Sequence, residues 1–132
     1  MSRKYLIDSN VIIDHIGGHK RIPAIVSGAE SMFVSQIAIA ETKVGCVDTA
    51  RGRKDRAALD AFLRLPNVVE ITLTPATSDL YAKVFRSLRE AGRPIPVNDI
   101  WLAAQALEHG AVLVSRDRHF GAVANLQTLI ED

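Results

Sequence analysis

Short apolar runs alternate along this chain with longer stretches in which apolar residues recur at helical spacing. Tyr5-Leu6-Ile7 leads into Asp8-Ser9-Asn10, three residues that favour helix caps, then Val11-Ile12-Ile13 and a Gly17-Gly18 stop: strand, sharp turn, helix. A short helix is expected over Ile22 to Val26 and a second strand at Met32-Phe33-Val34, after which Ser35 caps a helix carrying Ile37, Ile39, Ala40, Glu41 and Val44. Residues 51–56, Arg-Gly-Arg-Lys-Asp-Arg, read as a basic connection into a helix through Leu59, Phe62 and Leu63, which Pro66 ends. Val68-Val69-Glu70-Ile71 is a third strand.

Leu80, Val84, Phe85 and Leu88 repeat at helical spacing between Ala76 and Ala91, and Gly92 closes that pattern ahead of a rigid loop, Arg93-Pro94-Ile95-Pro96. Asn98 is expected to cap the next helix, whose core face is Ile100, Leu102, Ala103, Ala106 and Leu107 and whose end is His109-Gly110. Ala111 to Val114 is a fourth, wholly apolar strand, and Gln127 to Ile130 a fifth. Strands alternating with helices predict a three-layer α/β/α fold around a mostly parallel sheet of four to five strands, with right-handed crossovers and a working site outside the strands' carboxyl ends.

Composition narrows the class without choosing a chemistry. With 132 residues, 48% hydrophobic and 23% charged, residues 1–132 fit one globular domain with its own core. No apolar run approaches the roughly 18 residues of a membrane span, and the amino end lacks a signal peptide's apolar region, so a cytoplasmic protein with no membrane partner is expected. The single cysteine, Cys46, fits a reducing compartment and is expected to pack in a helix. The net charge of +1 neither demands nor excludes a nucleic-acid partner.

Asp8, Glu41, Asp99 and Asp117 carry the chemical signal, because each falls where a strand or loop meets a helix although they are scattered along the chain. A fold that gathers them would crowd four negative charges, and divalent cations relieve that repulsion. Oxygen donors of this kind suit Mg²⁺ or Mn²⁺, whereas Zn²⁺ would normally bring Cys or His. Each acid also has a purely structural reading: Asp8 as a helix cap, Glu41 as a solvated helix residue, Asp99 as a favourable charge at a helix start, and Asp117 as a turn residue.

Four segments together resemble the PIN-domain ribonucleases, and within them the VapC-type toxins of toxin–antitoxin pairs. They are Asp8-Ser9-Asn10-Val11-Ile12-Ile13-Asp14, Ser35-Gln36-Ile37-Ala38-Ile39-Ala40-Glu41 with Gly45, Asn98-Asp99-Ile100-Trp101-Leu102-Ala103-Ala104, and Ser115-Arg116-Asp117-Arg118-His119-Phe120. The resemblance spans nearly the whole chain. It implies that Asp8, Glu41, Asp99 and Asp117 form the metal-binding acidic set, with Asp8 and Asp99 foremost as direct ligands. It also implies an endoribonuclease using Mg²⁺ or Mn²⁺, a cognate antitoxin that blocks it, and a homodimer. One or two bound ions can supply what phosphodiester hydrolysis requires: an activated water, neutralised phosphoryl charge and help for the leaving oxygen.

Around that set, Ser9 and Asn10 can donate hydrogen bonds to the site or simply cap a helix, and Arg116 and Arg118 can meet RNA phosphates or form local ion pairs. Asp14 is expected off the pocket, His15 and His19 in solvated turns, and Trp101 in the core or against a partner. His119 lacks a second His or Cys at zinc-ligand spacing. The run Arg51, Arg53, Lys54 and Arg56 is a candidate phosphate patch or a solvated helix entry. Apolar surface on the Ile12-Ile13 and Val26 helices is expected to receive a partner. Three other functions stay open: a stand-alone RNA-processing nuclease, a binding module without turnover, and an aspartyl-phosphate phosphatase. The last would want an Asp where Asn10 stands.

Overall fold

Chain order and sheet order differ in a way that creates a crevice. In the computed structural model, which describes residues 3–132, β1 (Lys4–Ile7) is followed by α1 (Ser9–Ile16), α2 (Ala24–Ser27), β2 (Ser31–Ser35), α3 (Gln36–Val44), α4 (Ala50–Leu63) and β3 (Val68–Ile71). The chain then runs through α5 (Pro75–Glu90), α6 (Val97–His109), β4 (Val112–Ser115), a 3-10 turn (Arg118–Ala122) and β5 (Thr128–Ile130). The sheet order is β3-β2-β1-β4-β5, and every pairing is parallel. β1 is therefore central. The chain winds outward from it in one direction through β2 and β3, then crosses back to β4 and continues outward the other way. Right-handed crossovers place α1, α3 and α4 on one face and the packed pair α5 and α6 on the other.

Burial explains why the strands read as apolar runs. Leu6, Ile7, Val34, Leu113 and Val114 are fully buried, as strands covered on both faces must be, and Leu102, Ala103 and Ala106 of α6 pack over β1 and β4. At roughly 25 cal/mol per Å² of apolar surface removed from water, each such Leu or Ile adds about 1.5–3 kcal/mol towards the entropy cost of folding. No helix among the described residues is long and apolar enough to cross a membrane.

Several boundaries differ from the sequence expectation. The basic run 51–56 lies inside α4 rather than before it, because Thr49 caps that helix and its hydroxyl accepts the Gly52 amide at 3.0 Å. Gly52 packs so tightly on the preceding loop that a β-carbon there would sit 1.8 Å from the Val47 carbonyl oxygen. Asn98 lies in the first turn of α6 and Pro96 holds the cap position, so the Asn98 side chain is not used as a cap. His15 is only partly solvated: its Nδ1 accepts the Ile22 amide at 3.1 Å and its ring meets Phe62 at 5.6 Å. Ile12 and Val26 are fully buried, which leaves Ile13 and Ile25 as the exposed apolar residues of those helices. Cys46 is half-buried just past α3, with Sγ 3.6 Å from the Thr42 carbonyl. Trp101 stacks on Tyr81 at 4.1 Å without being fully buried.

Candidate metal centre

The point where the winding reverses lies between β1 and β4, whose carboxyl ends open side by side, and loops leaving adjacent strands there in opposite senses leave a crevice. Asp8 leaves β1 and Asp117 leaves β4. Glu41 reaches the same crevice from α3, and Asp99 from the first turn of α6 on the opposite face. All four acids line one open cleft of about 490 Å³ with Ser9, Asn10, Pro96, Val97 and Asn98. The four residues singled out in the sequence are thus brought together.

A hydrogen-bonded brace joins the two strand ends. Asp8 Oδ1 accepts the Ser9 amide and Oδ2 accepts the Ser115 hydroxyl, both at 2.7 Å. The same Ser115 oxygen accepts the Asp117 amide at 2.9 Å and the Asn10 side-chain amide at 3.3 Å, which exhausts its hydrogen-bonding capacity. Asn10 also donates to Asp117 Oδ2 at 3.3 Å and accepts the Arg116 amide at 3.2 Å. Asp8 and Asp117 are therefore held in fixed relation by a buried serine and one asparagine. Ser115 was absent from the expected site: a serine at a strand end resembles any other turn residue until the neighbouring strand is known.

Electrostatics mark the cleft as a place that wants positive charge. Burial raises the Asp8 carboxyl above its ordinary value, against the pull of the Ser115 and Ser9 hydrogen bonds. Burial, then the Asp8 charge, raises Glu41; the Ser9 and Asn98 side chains pull the other way, yet Glu41 Oε1 is buried with no hydrogen-bond partner among the described residues. Asp99 is pushed from 3.8 to about 6, by burial first and the Asp8 charge second, with His119 opposing. Acids raised together, one with an unengaged buried oxygen, form a donor set that fits a hard divalent cation.

Asp99 and Asp117 converge with a third residue, His119, each offering a ligand atom within 4.8 Å of the others. Sequence spacing gave no reason to include His119, because its neighbours in space are acids from other elements. The flanking arginines face elsewhere: Arg116 pairs with Asp14 at 3.2 Å and Arg118 with Asp132 at 2.8 Å. Asp14 accordingly stands off the cleft. Along α4, Arg51, Arg53 and Arg56 pair with Asp55, Asp48 and Asp60 respectively.

Fold and site together define a class: a parallel α/β protein with an acid-lined cleft at the reversal of its sheet. Comparison with known proteins makes this specific. The PIN domain family profile matches residues 5–126. Ribonuclease VapC2 of Haemophilus influenzae is 30% identical over 131 residues, covering 95% of this chain and 96% of that protein. Ribonuclease VapC4 of Mycobacterium tuberculosis is 24% identical over 127 residues, 96% of each. Among solved structures, Rickettsia felis VapBC2 bound to a promoter DNA fragment matches with a TM-score of 0.82 at 22% identity, over 98% of this chain and 99% of that one. VapBC-1 from nontypeable Haemophilus influenzae matches with a TM-score of 0.75 at 24% identity, over 96% and 97%. The chain belongs to the PIN-domain family, among its VapC-type ribonucleases. This membership sets aside the phosphatase reading, and Asn10, engaged with Ser115, Asp117 and Arg116, leaves no second acid in that place.

Proposed function

We propose that residues 1–132 act as one nuclease domain, a cytoplasmic endoribonuclease that hydrolyses RNA phosphodiester bonds with Mg²⁺, or Mn²⁺, held by Asp8, Glu41, Asp99 and Asp117. The observation that carries this reading is the convergence of four acids from four separate elements on one cleft, three of them with raised pKa. The VapBC complexes and VapC ribonucleases that the chain resembles support its role as the toxin of a toxin–antitoxin pair, with an antitoxin protein as partner; a homodimer is the assembly that the family resemblance implies.

A bound divalent cation supplies charge neutralisation on the phosphoryl oxygens and makes water a better nucleophile. The chain's own contribution is positional. Asp8 and Asp117 are locked by the Ser115 and Asn10 brace, so that ligand geometry is set before substrate arrives. Glu41, with a raised pKa and an unengaged Oε1, would either hold the cation directly or orient the water bound to it. Ser9 and Asn10 line the cleft, and with Arg116 and Arg118, which flank Asp117 in the chain, they are the candidate contacts to RNA; the arginines would first exchange Asp14 and Asp132 for phosphate.

Incubation of total cellular RNA with purified protein tests the reading. Discrete cuts are expected with Mg²⁺ or Mn²⁺ and none in EDTA. Cutting that persists in EDTA overturns the metal assignment. No cutting under either ion by folded, antitoxin-free protein overturns the nuclease.

A further inference from the structure

We propose that His119 is a nitrogen donor to the metal site and biases it towards Mn²⁺ and other first-row transition ions over Mg²⁺. The inference rests on the metal reading above and adds to it a residue outside the four acids.

Among the chain's four histidines, His119 is the one within reach of the cleft: His15 packs on Phe62 and His109 on Phe33, while His19 lies exposed beyond α1. Its Nε2 is 2.8 Å from Asp99 Oδ2. At that separation an ordinary imidazole–carboxylate hydrogen bond would be expected, and the contact does pull the Asp99 pKa down, yet the buried Nε2 meets no acceptor among the described residues in well-aligned hydrogen-bond geometry. The two atoms are close without pointing at each other.

Two donors aimed at a common third point behave this way. Adjacent ligands of a six-coordinate ion with bonds of about 2.1 Å are about 3.0 Å apart, the edge of the octahedron, and neither donor axis runs along that edge. The spacing of Nε2 and Oδ2 matches such an edge, and a ligand oxygen of Asp117 completes the group within 4.8 Å. The ring is also steadied: it packs on Phe120 with centroids 4.8 Å apart, and Phe120 is fully buried. A fixed imidazole loses little freedom on binding an ion.

Donor chemistry then sets the preference. Carboxylates suit Mg²⁺ and Mn²⁺ alike, but imidazole is a poor exchange for water around Mg²⁺ and a good one for transition ions. A site of oxygens alone would show little discrimination; the same site with one imidazole favours Mn²⁺.

The test uses untagged full-length protein, wild type against His119→Gln and His119→Asp, with folding checked by circular dichroism. Calorimetric titration with Mn²⁺ and with Mg²⁺ gives the affinity ratio, and pulsed EPR of the bound Mn²⁺ reports directly coordinated nitrogen. Wild type should show nitrogen coupling. In His119→Gln that coupling should vanish and the Mn²⁺ to Mg²⁺ affinity ratio should fall about tenfold or more. His119→Asp should recover overall affinity without the preference. Absence of coupling in wild type, its persistence in His119→Gln, or an unchanged ratio would each overturn the role of His119, leaving the acidic metal site intact. If neither ion bound folded wild type, the metal reading would fall as well, so the two failures are distinguishable.

Discussion

Replacing Asp99 with Asn should make the metal-free protein more stable while removing its response to metal. Asp99 is buried beside Asp8, and its carboxyl is pushed from 3.8 to about 6. Because the folded-state pKa lies above the unfolded one, the contribution of Asp99 to stability is full below pH 4 and is lost as pH rises through about 6. Above that range the folded state holds a carboxylate that it disfavours by up to about 3 kcal/mol, at roughly 1.4 kcal/mol per pH unit between 3.8 and 6. Solvent access from the open cleft trims this to about 1–3 kcal/mol. For a chain of 132 residues that corresponds to about 4–12 °C in Tm, taking about 4 °C per kcal/mol. Thermal unfolding in EDTA should therefore find Asp99→Asn more stable than wild type at pH 8, with the gap closing towards pH 4. Adding Mg²⁺ at pH 8 should stabilise wild type by about 2.7 kcal/mol at a hundredfold excess over Kd, with a matching rise in Tm, and leave the variant nearly unmoved. An Asp99→Asn protein less stable than wild type at pH 8 in EDTA would refute the argument that burial, and then the Asp8 charge, strain the Asp99 carboxylate in this cleft.

Three further outcomes follow from named contacts. Ser115→Ala removes the hydroxyl shared by Asp8, Asn10 and Asp117 and should cost about 1.5–3 kcal/mol in denaturant unfolding while weakening metal binding; an unchanged midpoint would show that the brace is dispensable. Gly52→Ala drives a methyl into the Val47 carbonyl and should lower stability by clearly more than the roughly 0.5 kcal/mol within which surface changes fall, with a neutral result in thermal melts contradicting the packing of the loop before α4. Burial, aided by Arg21, lowers the His15 pKa below 6.5, so stability should be present above pH 6.5 and decline as pH falls through the folded-state value. His15→Gln should flatten that decline, which a pH series of melts in an Asp99→Asn background would reveal.

The expected scaffold was legible because fully buried parallel strands leave continuous apolar runs, as at Leu6-Ile7 and Val112-Leu113-Val114, and because Asp8 and Asp117 follow such runs directly. The sequence also suggested four to five strands and the alternation that makes them mostly parallel; the sheet has five, all parallel. Other features depended on neighbours distant in the chain. The basic stretch 51–56 looks like a connection because charged residues carry no helical period; Thr49 and the tight seat of Gly52 decide that α4 begins before it. Asn98 is a favoured cap by type, but Pro96 with its fixed φ starts the helix earlier and leaves Asn98 on the side towards Glu41. Ser115 and His119 acquire meaning only when β1, β4 and α6 are placed side by side. His15, beside Asp14 and just ahead of the Gly17-Gly18 turn, looked solvated until α4 supplied Phe62.

Sequencing the RNA ends produced by wild type and by a folded Asp99→Asn variant, on total cellular RNA with Mn²⁺ or Mg²⁺, tests the central claim most directly. Discrete new ends from wild type that disappear in the variant are the predicted result. Cleavage at the same positions by Asp99→Asn would mean that the acidic cleft between β1 and β4 is not where RNA is cut.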